Sequence, residues 1–495
     1  MAVKMKEIFL LIIILLPFFG GACICVIKPK RQAYLEIFVE TIVLLTSFLV
    51  FYSITHRPES SLVVFEFAAN LTIAFHMDGL SATFAGLIAV LWPLATLYAF
   101  EYMRNAERKR SFFLFYTVTY AVTLGIAFAA NLVTLYFFYE MLTLVTLPLV
   151  FYTMTREAVL ASRKYLYYSL GGAAFAFIGL IFILSYGHGT TEFVLGGVLQ
   201  PENLGGVRNT LLFVYVLSFF GFGVKAALFP FSSWLPRAGV APTPVTALLH
   251  AVAVVKSGAF AILRITYYNF GADFLRGTWA QDIVMTAVII TILYGCSMAL
   301  KERHLKRRLA YSTISNLSYL LFGAALMTPL GLAGALSHMV FHGIMKICAF
   351  FCAGAVIKQT EKEFIYELDG LGRKMPKVFG ILGIASFSLM GVPGLCGFIS
   401  KWNLAKAAVL SDNPIAYIGI GALLLSGLLT GIYMMAIVIR GLFPLAEVNY
   451  GKQQVQDPNW YMILPLIVLT VFIVYFGLFS KPIVLLFENI AKGRW

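Results

Sequence analysis

Residues 217–264 read LSFFGFGVKAALFPFSSWLPRAGVAPTPVTALLHAVAVVKSGAFAILR, and this stretch decides the fold. Two apolar runs flank a short polar turn, and each is long enough to belong to a membrane-crossing segment. Yet each holds a lysine, Lys225 in the first and Lys256 in the second. A charged side chain at the bilayer centre costs on the order of 2.5–3.5 kcal/mol even on the mildest scale. Such residues therefore pair, face the bundle interior or line a water-filled path. Pro230 follows Lys225 within the same run. Proline lacks an N–H and breaks a helix. The freed carbonyls are tolerated at membrane depth only where protein or water satisfies them. A charge beside a helix break is the pattern of ion and solute sites built on discontinuous helices.

The combination recurs at 379–409, FGILGIASFSLMGVPGLCGFISKWNLAKAAV. There Gly391, Pro393, Gly394 and Gly397 interrupt the run and Lys401 follows. Two interrupted segments, each with a lysine, suggest corresponding elements of an internal repeat.

The rest of the chain has the same character. It is 60% hydrophobic and only 12% charged, about half the charged fraction of a soluble protein. Apolar windows near 7–27, 34–54, 79–100, 111–129, 131–153, 164–185, 210–231, 242–267, 280–300, 309–326, 329–357, 377–410, 413–443 and 460–487 read as spans. The fold class is therefore an all-α polytopic membrane protein of about fourteen transmembrane helices. Residues 1–110 hold spans 1–3, 111–267 a first repeat (spans 4–8), 280–443 a second (spans 9–13), and 460–495 span 14 and a tail. Helices 7 and 12 are expected to be broken. Five spans is an odd number, so the second five-helix repeat is inverted relative to the first. The connections at 55–78, 186–209 and 358–376 are too short to bury cores of their own.

The net charge of +14 is distributed by topology. With both termini outside, inner loops carry 23 Lys and Arg and outer segments eight. This follows the positive-inside rule, so the basic balance does not indicate nucleic acid. The first apolar stretch lacks a small-residue cleavage site and reads as a retained span. The expected location is the cell (inner) membrane.

Span 11 contains HMVFHGIMK. His338, His342 and Lys346 recur at i, i+4 and i+8 and form one polar stripe. Histidine titrates near neutral pH, which makes the stripe a candidate set of proton stations; interhelical hydrogen bonding is the structural alternative. Two histidines on one helix at this spacing cannot face each other across a haem iron. Glu140 is the only charge of span 5, in YFFYEMLTL, with Lys225 and Lys256 as its natural partners. His250 shares span 8 with Lys256 but not its face. Asp78 reads as a helix cap, and Arg264 and Lys406 as side chains that snorkel to the interface. The six cysteines make no zinc-type pattern. No cofactor or metal site is expected in this chain.

YFFYEMLTL, VKAALFPFSSWLP with APTPVTALLHAVAVVKSG, KRRLAYSTISNLSYL, HMVFHGIMK and GVPGLCGFISKW together resemble the antiporter-like subunit family. Multisubunit Mrp cation/proton antiporters, respiratory complex I and membrane-bound hydrogenases share this family. The resemblance implies a proton-conducting polar axis along the membrane midplane. On it, Glu140 matches the family's span-5 glutamate, Lys225 its span-7 lysine and Lys256 the linking lysine of span 8. Lys401 matches the terminal lysine of span 12, where other members carry glutamate, and His250, His338, His342 and Lys346 match polar-axis positions. Ser232, Arg237, His304 and Tyr139 depart from the common pattern. The tail after span 14 is short, which favours a D-like Mrp or hydrogenase-type subunit over the largest complex I member.

The expected function is a proton-translocating subunit of a larger membrane complex, without a catalytic or redox centre of its own. Its partners are other membrane subunits, protons and the bilayer; sodium, which wants several hard oxygen ligands, is expected only through a partner subunit. The alternatives are a complex I (NADH-quinone oxidoreductase) subunit, a stand-alone solute carrier, a protein that binds haem or quinone, and a scaffold without flux.

Overall fold

The computed structural model describes residues 2–26, 32–58, 60–68, 71–187, 189–199, 205–444 and 455–495. The side chains of residues 2–6, Lys28, Lys30, Arg31, Glu202 and Lys452 lie outside this description. The helices are α1 (Ala2–Val26), α2 (Gln32–His56), α3 (Gly79–Tyr102), α4 (Lys109–Ala127), α5 (Leu132–Val150), α6 (Arg156–Tyr186), α7 (Arg208–Lys225), α8 (Trp234–Ala238), α9 (Thr243–Ala251) and α10 (Val254–Arg264). A π-helical turn, Ile265–Phe270, extends α10. There follow α11 (Ala272–Leu275), α12 (Trp279–Lys301), α13 (Leu305–Ala325), α14 (Pro329–Thr360), α15 (Leu371–Lys374), α16 (Pro376–Met390), α17 (Cys396–Val409), α18 (Pro414–Leu442), α19 (Trp460–Leu478) and α20 (Lys481–Ala491).

Among the described residues, eleven helical segments are long and apolar enough to cross a membrane. The chain is a polytopic all-α membrane protein. The three other expected spans are the ones that carry breaks or charge. Span 7 is divided into α7 and α8, span 12 into α16 and α17, and α13 begins with Lys306, Arg307 and Arg308. The apolar windows of Thr243–Phe270 and Pro329–Thr360 are wholly buried, against 39% for α2 and α6. The segments carrying His250, Lys256, His338, His342 and Lys346 thus form the centre, and the outer helices turn apolar faces to lipid.

Several expectations need correction. Pro230 and Pro393 are not themselves the residues at which the helices stop. α7 ends at Lys225, five residues before Pro230, and α16 ends at Met390. Gly391 adopts φ +96°, a left-handed conformation that favours glycine and terminates the helix. Span 8 is also broken, at Val252–Ala253 between α9 and α10, where neither proline nor glycine signals it. The 55–78 connection holds an antiparallel hairpin, β1 (Leu62–Ala68) with β2 (Leu71–Phe75). Expected span 14 divides into α19 and the separate α20.

Small residues set the closest helix contacts, as van der Waals packing in a bilayer requires. A Cβ built on Gly258 of α10 would lie 2.6 Å from the Ala226 nitrogen and 3.0 Å from the Lys225 carbonyl carbon. The end of α7 therefore rests directly on the helix that carries Lys256. At the other break, a Cβ on Gly397 would collide with the Ser388 carbonyl oxygen, so α17 abuts the last turn of α16.

Candidate functional site

Lys225 is the last residue of α7 and wholly buried. A helix C-terminus is the negative end of the macrodipole and favours a cation. Its ammonium lies 3.6 Å from Glu140 Oε1 on α5. It also donates to the Tyr139 carbonyl oxygen and sits 3.3 Å from the Tyr139 ring centroid. The expected partnership with Glu140 is present. The contact is a charge pair and not a hydrogen bond, and Glu140 Oε1 is buried with no hydrogen-bond partner. Lys256 does not share Glu140.

Lys256 lies in the first turn of α10, beyond the break in span 8. Its Nζ is 3.0 Å from His342 Nδ1 on α14. His342 and His338 stack at 5.4 Å with their planes 14° apart. His338 Nε2 donates to the Asn316 carbonyl at 2.8 Å, since a carbonyl can only accept. Its Nδ1 is 3.0 Å from Ser400 Oγ, and Ser400 also reaches the Gly397 carbonyl at 3.2 Å. That hydroxyl has two settings. It donates to Nδ1 when His338 is neutral, and to Gly397 when His338 carries two protons and Nδ1–H donates to Ser400.

Lys401, next to Ser400, turns back across the break. Its ammonium donates to the carbonyls of Leu389 at 2.6 Å and Met390 at 2.9 Å, the last residues of α16. These are orphan acceptors of a helix end, so the side chain caps the half-helix. Lys401 also lies 5.2 Å from the Tyr319 ring centroid, and Tyr319 packs 5.2 Å from the His338 ring.

The other candidates are arranged differently. Lys346 does not bond to the histidines; it donates to Ser312 Oγ at 2.7 Å, which also accepts from the Tyr433 hydroxyl at 2.9 Å. Both ring nitrogens of His250 are buried without partners, and its ring faces Phe350 at 4.8 Å. No direct bond joins it to Lys256 among the described residues. Asp78 caps α3 as expected, accepting from the Ser81 amide at 2.8 Å. Arg264 does not snorkel. It is 1% exposed and grips Asp78 with two nitrogens, at 2.5 and 2.8 Å. Lys306, one of the 23 basic residues assigned by sequence to inner loops, is buried and donates to the Ala241 carbonyl at 3.1 Å.

Ser232 is buried with a free hydroxyl. His304 hydrogen-bonds Glu363 at 3.1 Å and by that bond holds its carboxyl below the usual range. Ser312, Asn316, Tyr319, Ser400 and Tyr433 have no signal in the sequence, because hydroxyl and amide residues are frequent in membrane helices and carry no charge to single them out. Tyr139, which departs from the family pattern, is the contact of Lys225. Glu40, within α2, was a readable signal, and its Oε2 is buried without a partner.

Residues 129–430 match the family described as NADH:quinone oxidoreductase/Mrp antiporter, TM, and residues 65–113 match NADH-Ubiquinone oxidoreductase (complex I), chain 5 N-terminus. The chain belongs to this family of antiporter-like membrane subunits. It is 29% identical over 421 residues to NADH-quinone oxidoreductase subunit N of Desulforudis audaxviator, covering 82% of each chain. It is 29% identical over 470 residues to a probable K(+)/H(+) antiporter subunit of Rhizobium meliloti, covering 92% of this chain and 46% of that longer one. In fold it is similar to a chain of the Mrp complex from Dietzia sp. DQ12-45-1b (TM-score 0.85, 20% identity). It is also similar to one of the membrane-bound sulfane sulfur reductase, an archaeal respiratory membrane complex (TM-score 0.83, 21% identity). Each comparison covers 99% of this chain and 97% of the other.

Because Lys401 caps α16, Lys401→Met is expected to leave two carbonyls unsatisfied and to lower thermal stability of the assembled protein, at about 1–3 kcal/mol per group. Lys401→Gln, which keeps a donor, is expected to lose less. Equal melting temperatures for wild type and Lys401→Met would contradict the capping role.

Proposed function

We propose that this chain is a proton-translocating subunit of a multisubunit membrane complex, of the Mrp antiporter or membrane-bound hydrogenase type. The observation that carries the reading is the Lys256–His342 contact at 3.0 Å. It joins Lys256, whose helix rests on the end of α7, to the histidine stripe, and His338 at the far end of the stripe meets Ser400, the neighbour of Lys401 in sequence. Membership of the family and the kinship to subunits of larger complexes support the same assignment. An NADH-quinone oxidoreductase is the alternative parent complex.

In the proposed cycle, Glu140 holds the proton on Lys225. Separation of the pair frees that proton for Lys256, whose helix touches the end of α7 at Gly258. Lys256 passes a proton to His342 Nδ1. His342 and His338 are stacked without a hydrogen bond, so a ring reorientation that frees a His338 nitrogen carries it onward. Ser400 passes it toward Lys401, which exchanges with one side through the break between α16 and α17. Lys346, Ser312 and Tyr433 form a side branch, and His250 is a reserve station facing Phe350. Lysines and histidines suit protons; sodium, if the complex moves it, binds in a partner subunit. Spans 4–8 and 9–13 act as inverted repeats, with the broken spans 7 and 12 and their lysines as matching elements; the break in span 8 is an addition of the first repeat.

Glu140→Gln is expected to lower proton flux about tenfold or more with assembly retained, because an opposite charge at this range contributes ~1.4 kcal/mol or more. Lys256→Met keeps the volume and removes the proton site, and flux per assembled complex should be lost. Vesicle flux normalised to complex content measures both. Wild-type flux per complex in Lys256→Met would refute the relay.

The orientation we propose places both termini outside. Because Lys306 is buried, the exposed Arg303 and Asp273 are the suitable probes. With single cysteines in a cysteine-free background, an impermeant reagent should label position 273 in intact cells and position 303 only after permeabilisation. The reverse pattern would overturn the topology.

A further inference from the structure

An apolar cavity of about 350 Å³ lies on the flank of the bundle between α2, α3, α14, α19 and α20. Gly86 of α3, Val340 and Ile344 of α14, Phe476 of α19 and Phe487 of α20 line it. At one end it meets a second cavity of about 520 Å³, lined by Arg57, His76 and Asp78. Ile490 and Trp495 belong to the walls of both. The two cavities adjoin at these residues, the first apolar along the membrane span and the second polar where α2 ends and α3 begins.

We infer that this site holds one anionic phospholipid, with an acyl chain in the apolar cavity and the phosphate beside Arg57. The charge balance of the mouth supports an anion. Asp78 is neutralised by its two bonds to Arg264, whereas Arg57 forms no ion pair among the described residues and rests 5.0 Å from the Trp495 ring centroid. Lys492 and Arg494 are exposed at the same end. His76 Nδ1 is buried without a partner and is placed to bond a phosphate or glycerol oxygen.

An apolar pocket beneath an uncompensated basic mouth suits a lipid, with its apolar chain and charged head, better than a helix from a neighbouring subunit. The volume falls in the ~300–1,000 Å³ range of small-molecule sites. α20 closes it in the manner of an interfacial helix. Phe487, Ile490 and Ala491 are buried, Leu485 is exposed, and basic residues stand at both ends.

The site touches the working centre from behind. Val340 and Ile344 are each two residues from His342, about 200° around α14. The chain therefore backs the face opposite the histidine stripe and supports that helix against α3.

Native mass spectrometry of the full chain in its isolated complex, after exchange into equal phosphatidylglycerol and phosphatidylcholine, tests the site. One phosphatidylglycerol should remain on each wild-type chain. Gly86→Leu projects into the cavity, since a Cβ there meets only Ile54 at 3.5 Å, and it should lower retention about tenfold. Leu486→Trp, on α20, fills the same space and serves if Gly86→Leu does not assemble. Arg57→Gln should keep a lipid but lose the preference for phosphatidylglycerol. An assembled wild type without lipid, a quinone in its place, unchanged retention in the filled variants, or a headgroup preference that survives Arg57→Gln would each overturn the proposal.

Discussion

Within a bilayer every backbone carbonyl and every charge must find its partner inside the protein, and the breaks and the lysines of this chain meet that demand jointly. Lys401 reaches back across the gap in span 12 to cap the two carbonyls that end α16. Lys225 sits at the terminus of α7, where the helix dipole favours its charge, and takes the Tyr139 carbonyl and ring as further partners. Broken helices alone would leave orphan acceptors, and lysines alone would be stranded charges. Placed together they stabilise one another, and the polar groups are held at depth.

The surrounding architecture keeps these groups out of lipid. Thr243–Phe270 and Pro329–Thr360 carry Lys256, His338, His342 and Lys346 and are buried along their apolar windows, while α1, α2, α6 and α19 face outward. Glycines at the contacts bring helix ends within direct reach, so that the end of α7 lies on α10 and α17 on α16. In the proposed function this closeness matters because proton transfer needs donors and acceptors at hydrogen-bond range. Lys256 to His342 and His338 to Ser400 meet that requirement as they stand. The steps from Lys225 to Lys256, from His342 to the stacked His338, and from Ser400 to Lys401 depend on side-chain movement, and Glu140 is the group positioned to trigger the first.

Much of this was legible in the sequence, for physical reasons. Charges inside apolar runs stand out, so Glu140, Lys225, Lys256, Lys346 and Lys401 are legible as candidate stations. Proline and glycine mark broken helices, so the interruptions of spans 7 and 12 could be read from Pro230, Gly391 and Pro393. The break in span 8 falls at Val252–Ala253, two residues with no such signature, and only tertiary packing reveals it. Pairings between distant helices were also out of reach. Nothing local shows that Lys256 meets His342, that Lys346 turns to Ser312, or that Arg264 grips Asp78 in place of reaching the interface. Lys306 reads as a solvated loop cation because it lies in a basic cluster, yet the start of α13 is inside the protein.

The central claim is that Glu140 and Lys225 act as one coupled switch. A double-mutant cycle on flux per assembled complex, with Glu140→Gln, Lys225→Gln and both together, tests it most directly. If the two residues form one unit, the double variant should be no more impaired than the worse single variant. Losses that multiply would show that the two side chains contribute independently and would contradict the account.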